Sequence, residues 1–294
     1  MTTSAKSREL VVITGASTGI GAATARELAR RGFHVLAGVR RAQDADAISA
    51  PNIEPLILDI TNADHIRALA ARVDRDPQAA VRALINNAAV AVNAPVETFA
   101  LEAWRRLFEV NFFGHIAMIQ ALLPDLIKSK GRVVNVSSVG GKVAMATYGP
   151  YAGTKFALEA VSDSLRRELA PFGVAVVVIE PGAVRTEMAG RAIAAALDLA
   201  SAMTPEQSRR YGGLVQAITA QTASFTQRGL SADAAARVIA EAVTAKKPRT
   251  RYAIGRDAAQ LTLLARLLPD RMLDRLFATA LRPYFPKEGK GVTL

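Results

Sequence analysis

The chain contains no cysteine, which excludes a disulfide framework, a thiolate metal site and a cysteine nucleophile. A cytoplasmic address fits that absence. Histidine is scarce: His34, His65 and His115 share no metal-ligand spacing, and no nearby carboxylate set completes one, so no metal is expected. Long hydrophobic runs are missing as well. No apolar stretch approaches the length of a membrane-spanning helix. Residues 1–10 are polar, and the apolar run after them ends at Gly15, a pattern that does not read as a signal peptide. Internal repeats and low-complexity segments are also lacking.

Half of the 294 residues are hydrophobic, arranged in short apolar runs that alternate with longer amphipathic stretches. That alternation belongs to an α/β protein able to bury a substantial core. The formal net charge of +11 is uneven. Between 246 and 294, eleven Lys and Arg face four Asp and Glu, a net of +7. A solvated basic surface is the plain explanation; attraction to an anionic membrane or an acidic ligand is the sharper one.

Residues 10–14 read as a buried strand and 20–31 as the helix that follows. Further strands are expected at 34–39, 55–59, 82–86, 132–136 and 174–179. Helices are expected at 64–74, at 102–128, and from Pro150, which suits a first turn, to near Gly173. The repeated strand–helix–strand order predicts a single doubly wound, Rossmann-like parallel sheet with right-handed crossovers and helices on both faces. Beyond Met188 the pattern turns helical, with a short strand candidate at 251–254. The expected division is a core at 8–187, a substrate lid at 188–230 and a helical C-terminal extension at 231–294, all within one domain spanning 1–294.

Thr14-Gly15-Ala16-Ser17-Thr18-Gly19-Ile20-Gly21 joins the first strand to the first helix. Glycine at 15, 19 and 21 removes Cβ atoms where a backbone must turn sharply and approach a pyrophosphate. The helix start then offers free N–H groups and a positive dipole end. Farther on, Tyr151 and Lys155 lie four apart and so share one helix face. An ammonium there can lower a phenol pKa that is ordinarily about 10. With five Tyr in the chain, chance alone supplies about 0.15 such spacings.

The spacing Thr-Gly-x-x-x-Gly-Ile-Gly resembles the first turn of the short-chain dehydrogenase/reductase family, and the resemblance runs over roughly 8–190. Asp59, in Leu-Asp-Ile60-Thr, matches the family acid that bonds the adenine amine. Asn86-Asn87-Ala88-Ala89 is similar to the Asn-Asn-Ala-Gly signature beside the cofactor, with Ala89 in place of glycine. Pro181-Gly182-Ala183-Val184-Arg185-Thr186 matches the Pro-Gly run, where Val184 and Thr186 would face the nicotinamide carboxamide.

The resemblance also orders the chemistry. Ser138 stands thirteen residues before Tyr151 at the end of a strand, with Ser137 the weaker candidate, and Asn111 matches a fourth catalytic position. Tyr151 would exchange a proton with the substrate oxygen while hydride moves to or from C4 of the nicotinamide. Ser138 would hydrogen-bond the same oxygen. Lys155 would lower the phenol pKa and hold the ribose hydroxyls, and Asn111 would anchor a water leading from Lys155 to solvent.

An acid at the end of the second strand would favour NAD. Val39 stands there instead, followed by Arg40 and Arg41, whose guanidinium groups suit a 2′-phosphate. NADP(H) is therefore the preferred cofactor, with NAD(H) possible.

Residues 189–203, rich in Ala, Leu and Ile, read as a mobile apolar lid, and the expected substrate is a small apolar ketone or alcohol. The run 178–182 and the long tail look like the hydroxysteroid and retinol dehydrogenase branch. A 3-oxoacyl thioester reductase and a non-catalytic NADP(H)-binding regulator are the alternatives. The family implies a homodimer or homotetramer using the long helices at 102–128 and 150–170. Residues 257–281, divided by Pro269, form two amphipathic helices beside basic residues. Packing against the body or a subunit competes there with peripheral membrane contact through 246–281. Nucleic-acid binding is not expected, because no recognition motif accompanies the charge.

Overall fold

A computed structural model describes residues 9–76 and 80–286. Chain order runs β1 (Glu9–Ile13), α1 (Gly19–Arg30), β2 (His34–Val39), α2 (Ala42–Ile48), β3 (Ile53–Ile57), α3 (Ala63–Asp74) and β4 (Ala80–Asn86). Then come α4 (Leu101–Phe108), α5 (Gly114–Ser129), β5 (Arg132–Val136), α6 (Gly149–Leu169) and β6 (Ala175–Pro181). The remainder is β7 (Val184–Arg185), α7 (Glu187–Ser201), α8 (Pro205–Arg228), β8 (Leu230–Ser231), α9 (Ala232–Thr244), β9 (Arg251–Ile254), α10 (Arg256–Leu267) and α11 (Asp270–Leu281).

Seven strands form one parallel sheet in the order β3-β2-β1-β4-β5-β6-β9. Successive strand residues point to opposite faces. Val11 and Ile13 therefore join the core under α1 and α9, while Leu10 and Val12 join the core under α3, α5 and α6. Strands buried on both faces read as the near-continuous Val, Ile and Leu runs seen in the sequence. The strand order reverses between β1 and β4, so a crevice opens at the carboxyl ends of those strands.

The structure departs from the sequence reading at three points. The third strand is 53–57 rather than 55–59, with Pro55 inside it; β3 is an edge strand, where a missing N–H is tolerated. Helix α2 was not anticipated. Finally, α9 and β9 belong to the body rather than to the extension. Ala235, Ile239 and Val243 of α9 and Tyr252 of β9 are all buried in the core with α1. The helical extension is α10 and α11.

Helices α4 and α5 are joined by a π-turn at Glu109–Phe113, giving one helix over Leu101–Ser129. Contrary to the sequence reading, that helix is long and apolar enough to cross a membrane. It nonetheless buries Asn111 and His115, and its Met118, Leu122 and Leu126 pack under the sheet, as a core helix does.

Candidate active site

The phosphate loop leaves β1 at the topological switch point. Gly15 and Gly19 take φ of +67° and +57°, the left-handed region that glycine adopts without strain. A Cβ on Gly21 would lie 2.2 Å from the Gly15 carbonyl oxygen, so the close turn requires glycine there. Thr14 Oγ1 accepts from the backbone N–H groups of Asn87 and Ala88, both at 3.0 Å. The Asn87 amide donates to the carbonyls of Thr14 and Gly15, also at 3.0 Å. Asn87 thus braces the loop from β4. Ala89 keeps a negative φ, so the replaced glycine introduces no strain.

Residues of this loop fit a pyrophosphate. The Thr18 side chain does not cap α1, and the first helical turn carries no acid, which leaves its N–H groups and dipole free for an anion. Ser17, Thr18 and Gly19 line a cleft of about 510 Å³ together with Arg185, Thr186 and Glu187. Thr186 is packed against Gly19, placing the start of α7 over the loop.

Other expected cofactor residues divide into two groups. Val39 is buried and occupies the end of β2 in place of an acid. Arg41 is held by Asp44 at 2.7 and 2.8 Å, whereas Arg40 is exposed and makes no ion pair among the described residues. Burial raises the Asp59 carboxyl, but two hydrogen bonds from Thr61 and the charge of Arg40 bring it below its usual range. Ile60 is buried where α5 begins, with Gly114 against it. Pro181, Gly182 and Val184 build a corner and do not line the cleft. Asp257 packs on Gly182 and accepts the Ala183 N–H at 2.7 Å, while Val184 is buried in the core. Asp257 lies 74 residues from its partner, and no local pattern announces it.

The four candidate catalytic residues converge from β5, α6 and the π-turn. Ser138, two residues beyond β5, is in extended conformation, and its Oγ accepts the Gly140 N–H at 3.0 Å. Tyr151 and Ser138 adjoin across Gly140: a Cβ there would lie 3.4 Å from Ser138 Oγ and 3.5 Å from the Tyr151 ring. Lys155 is almost fully buried; its Nζ donates to the Val136 carbonyl at 2.8 Å and stands 5.8 Å from the Tyr151 ring centre. Asn111 is fully buried, and its amide bonds both the N–H and the C=O of Val90 at 2.8 Å and Thr154 Oγ1 at 3.2 Å. The carboxamide is thereby committed to holding the loop after β4. Ser137 is buried, and its Oγ has no hydrogen-bond partner among the described residues.

One expectation is corrected. Tyr151 is not acidified: burial pushes its phenol up to about 12, against the opposing hydrogen bond of Ser138. Burial brings Lys155 down to about 8, with the Glu159 carboxylate pulling the other way. A desolvated pair of this kind disfavours both charged forms, and the ammonium is turned to a carbonyl rather than to the phenol oxygen. His115 is buried with Nε2 on the Ala88 carbonyl at 2.7 Å. Burial first, and then the Lys155 charge, bring it down to about 3. No cluster of metal-ligating side chains occurs among the described residues.

Above the pair, Tyr148 contacts an apolar cap made by Ala217 and Ile218 of α8 and by Leu281, Tyr284 and Phe285. Its hydroxyl meets Thr222 Oγ1 at 3.0 Å. The end of the C-terminal extension therefore closes the region beside the candidate catalytic helix.

A phosphate-binding switch point below a Ser–Tyr–Lys cluster defines a dinucleotide-dependent oxidoreductase. The short chain dehydrogenase family model matches residues 9–196. An NADPH-dependent 3-dehydrocapnine reductase of Ornithobacterium rhinotracheale is 34% identical over 275 residues, covering 90% of this chain and 95% of that one. Human retinol dehydrogenase 5 is 35% identical over 299 residues, covering 97% and 92%. A Burkholderia cenocepacia short chain dehydrogenase crystallised with NADP superposes with a TM-score of 0.70 at 26% identity, covering 91% and 95%. The chain belongs to the short-chain dehydrogenase/reductase family. It is an oxidoreductase of that family, on the retinol and hydroxysteroid dehydrogenase side of it.

Proposed function

We propose that the protein interconverts a secondary alcohol and a ketone on an apolar, steroid-, retinoid- or lipid-like substrate, using NADP(H). The observation that carries this reading is the meeting of Ser138, Tyr151 and Lys155 under an apolar cap. The nicotinamide supplies or accepts the hydride. Tyr151, protonated at neutral pH, donates its proton to the carbonyl oxygen in reduction and recovers it in oxidation. Ser138 orients that oxygen by a second hydrogen bond. Lys155 holds a positive charge beneath the phenol, and Asn111 fixes the loop that walls the site.

Val39 and the exposed Arg40 support the NADP(H) preference, as do the NADPH-dependent relative and the NADP-bound structure. Asp59, Ile60, Thr186 and the 15–21 loop are the residues proposed to hold the nucleotide.

The test is NADPH oxidation with apolar ketones and acyl thioesters, in wild type and Tyr151→Phe. Wild type turns over apolar ketones. The variant loses at least a thousandfold in kcat while its Kd for NADPH changes less than threefold. Substantial turnover by a clean variant removes the role of Tyr151. Tight NADPH binding with no turnover of any substrate by wild type supports a regulator instead.

Two surfaces extend the reading. A groove of about 380 Å³ lined by Leu101, Trp104, Phe108 and Phe113 on α4 and the π-turn is the proposed homo-oligomer contact. On α10 and α11, exposed Leu263, Leu267, Met272 and Leu276 lie among exposed Arg266, Arg271 and Arg275, the make-up of a helix pair resting on anionic lipid.

A further inference from the structure

Helix α7 sends one side chain back to the phosphate loop. Arg191 Nη2 lies 3.2 Å from Thr18 Oγ1 and 3.2 Å from a Glu187 carboxylate oxygen one turn earlier on its own helix. The bond to Thr18 joins residues 173 positions apart, and the Thr18 hydroxyl is not used to cap α1. The charge of Arg191 also reaches Asp44 at the start of α2. That carboxyl is held below its usual range first by its hydrogen bond with Arg41, then by the charges of Arg41, Arg40 and Arg191. Three guanidinium groups from two distant segments thus face two carboxylates, Asp44 and Glu187, an excess of one positive charge. A phosphate monoester, carrying about 1.5 to 2 negative charges near neutrality, can take up that excess and replace Glu187 as the partner of Arg191.

We propose that Arg191 is a specificity and latch residue: its guanidinium binds the 2′-phosphate of NADP(H) beside Arg40 and draws α7 over the site when that phosphate is present. The inference rests on the NADP(H) reading above. It goes beyond that reading because the cation comes from the lid rather than from the β2–α2 turn, which couples cofactor identity to closure over the substrate. Arg191 is about two-thirds exposed, so replacing it should disturb little packing.

The test is calorimetric titration of wild type, Arg191→Ala and Arg191→Lys with 2′,5′-ADP, 5′-AMP, 5′-ADP, NADPH and NADH. Amide exchange over 187–201 is followed in parallel. Arg191→Ala is expected to weaken 2′,5′-ADP and NADPH about tenfold, the scale of one charge-assisted hydrogen bond. It weakens 5′-ADP and NADH less than twofold, and Arg191→Lys recovers part of the loss. NADPH slows exchange in 187–201 more than NADH does in wild type, and that difference vanishes in Arg191→Ala. Equal losses for 5′-ADP and 2′,5′-ADP would place the contact on the diphosphate and overturn the proposal. A wild-type preference for 2′,5′-ADP over 5′-AMP that survives Arg191→Ala overturns this inference alone. If wild type shows no such preference, the NADP(H) reading fails and takes the inference with it.

Discussion

A phenol near 12 and an ammonium near 8 sit one helical turn apart, and those values set the proton chemistry at neutral pH. Tyr151 is an acid throughout the physiological range, which suits proton donation to a carbonyl oxygen. Lys155 carries its charge below about 8 and loses it above, so the ketone-reducing kcat should stay level from about pH 6 and fall as pH rises through 8. Lys155→Arg keeps a cation at every accessible pH, so its lower activity should lose that break. A break at the same pH in both proteins would assign it to another group. The same depression bears on stability: the fold excludes the charged lysine, so stability is reduced below about 8 and recovered as pH rises toward the free value of 10.5. Tyr151 acts in the opposite sense at higher pH, since the fold favours its neutral form and stability falls as pH rises from 10 to about 12.

At the scale of elements, β9 is fastened by charge as well as by its pairing with β6. Arg251 bonds Glu159 and Asp163 of α6 at 3.0 Å and pairs with Glu180 of β6 at 3.1 Å, while Lys142 reaches Glu159 at 2.7 Å. Glu159 and Glu180 are nearly fully buried, and Glu180 is raised above its usual range by burial and then by its acidic neighbour. Arg251→Ala leaves two buried carboxylates with one cation and should cost about 3 kcal/mol in urea unfolding. Adding Glu180→Gln should return part of that loss; a single variant within about 0.5 kcal/mol of wild type would show the network to be dispensable. The strand at 251–254 was legible because the larger Tyr252 and Ile254 alternate with Arg251 and Ala253. Its place beside β6 was not, since that depends on Arg251 meeting acids 71 to 92 residues away. The alanine-rich α9 misled for a related reason: small side chains read as an ordinary helix, yet they permit its close packing on α1.

Over the whole molecule, the site was legible where its chemistry is local and illegible where it depends on the fold closing. Tyr151, Lys155 and the 15–21 loop each lie within one turn of an element, so spacing alone exposes them. Asn87 on Gly15, Asp257 on Ala183 and Arg191 on Thr18 are long-range bonds that no window of sequence contains. The C-terminal extension stands between these cases. Its amphipathic pattern was readable, but which face it buries was not. In α10 and α11 the buried residues are Ala258 and Leu281, while Leu263, Leu267, Met272 and Leu276 remain exposed. An apolar row flanked by arginines binds lipid by area and by charge together, and the charge contribution is screened by salt. The full-length protein should therefore sediment with vesicles containing phosphatidylserine and much less with neutral phosphatidylcholine vesicles. Salt at about 0.5 M should release most of it, since the screening length then falls well below its physiological value of about 8 Å. Leu267→Glu with Met272→Glu should abolish pelleting without changing ketone turnover, because neither residue touches the cap over Tyr148. Equal absence of wild type from both pellets would remove the membrane from the account and leave α10 and α11 as a surface for another subunit.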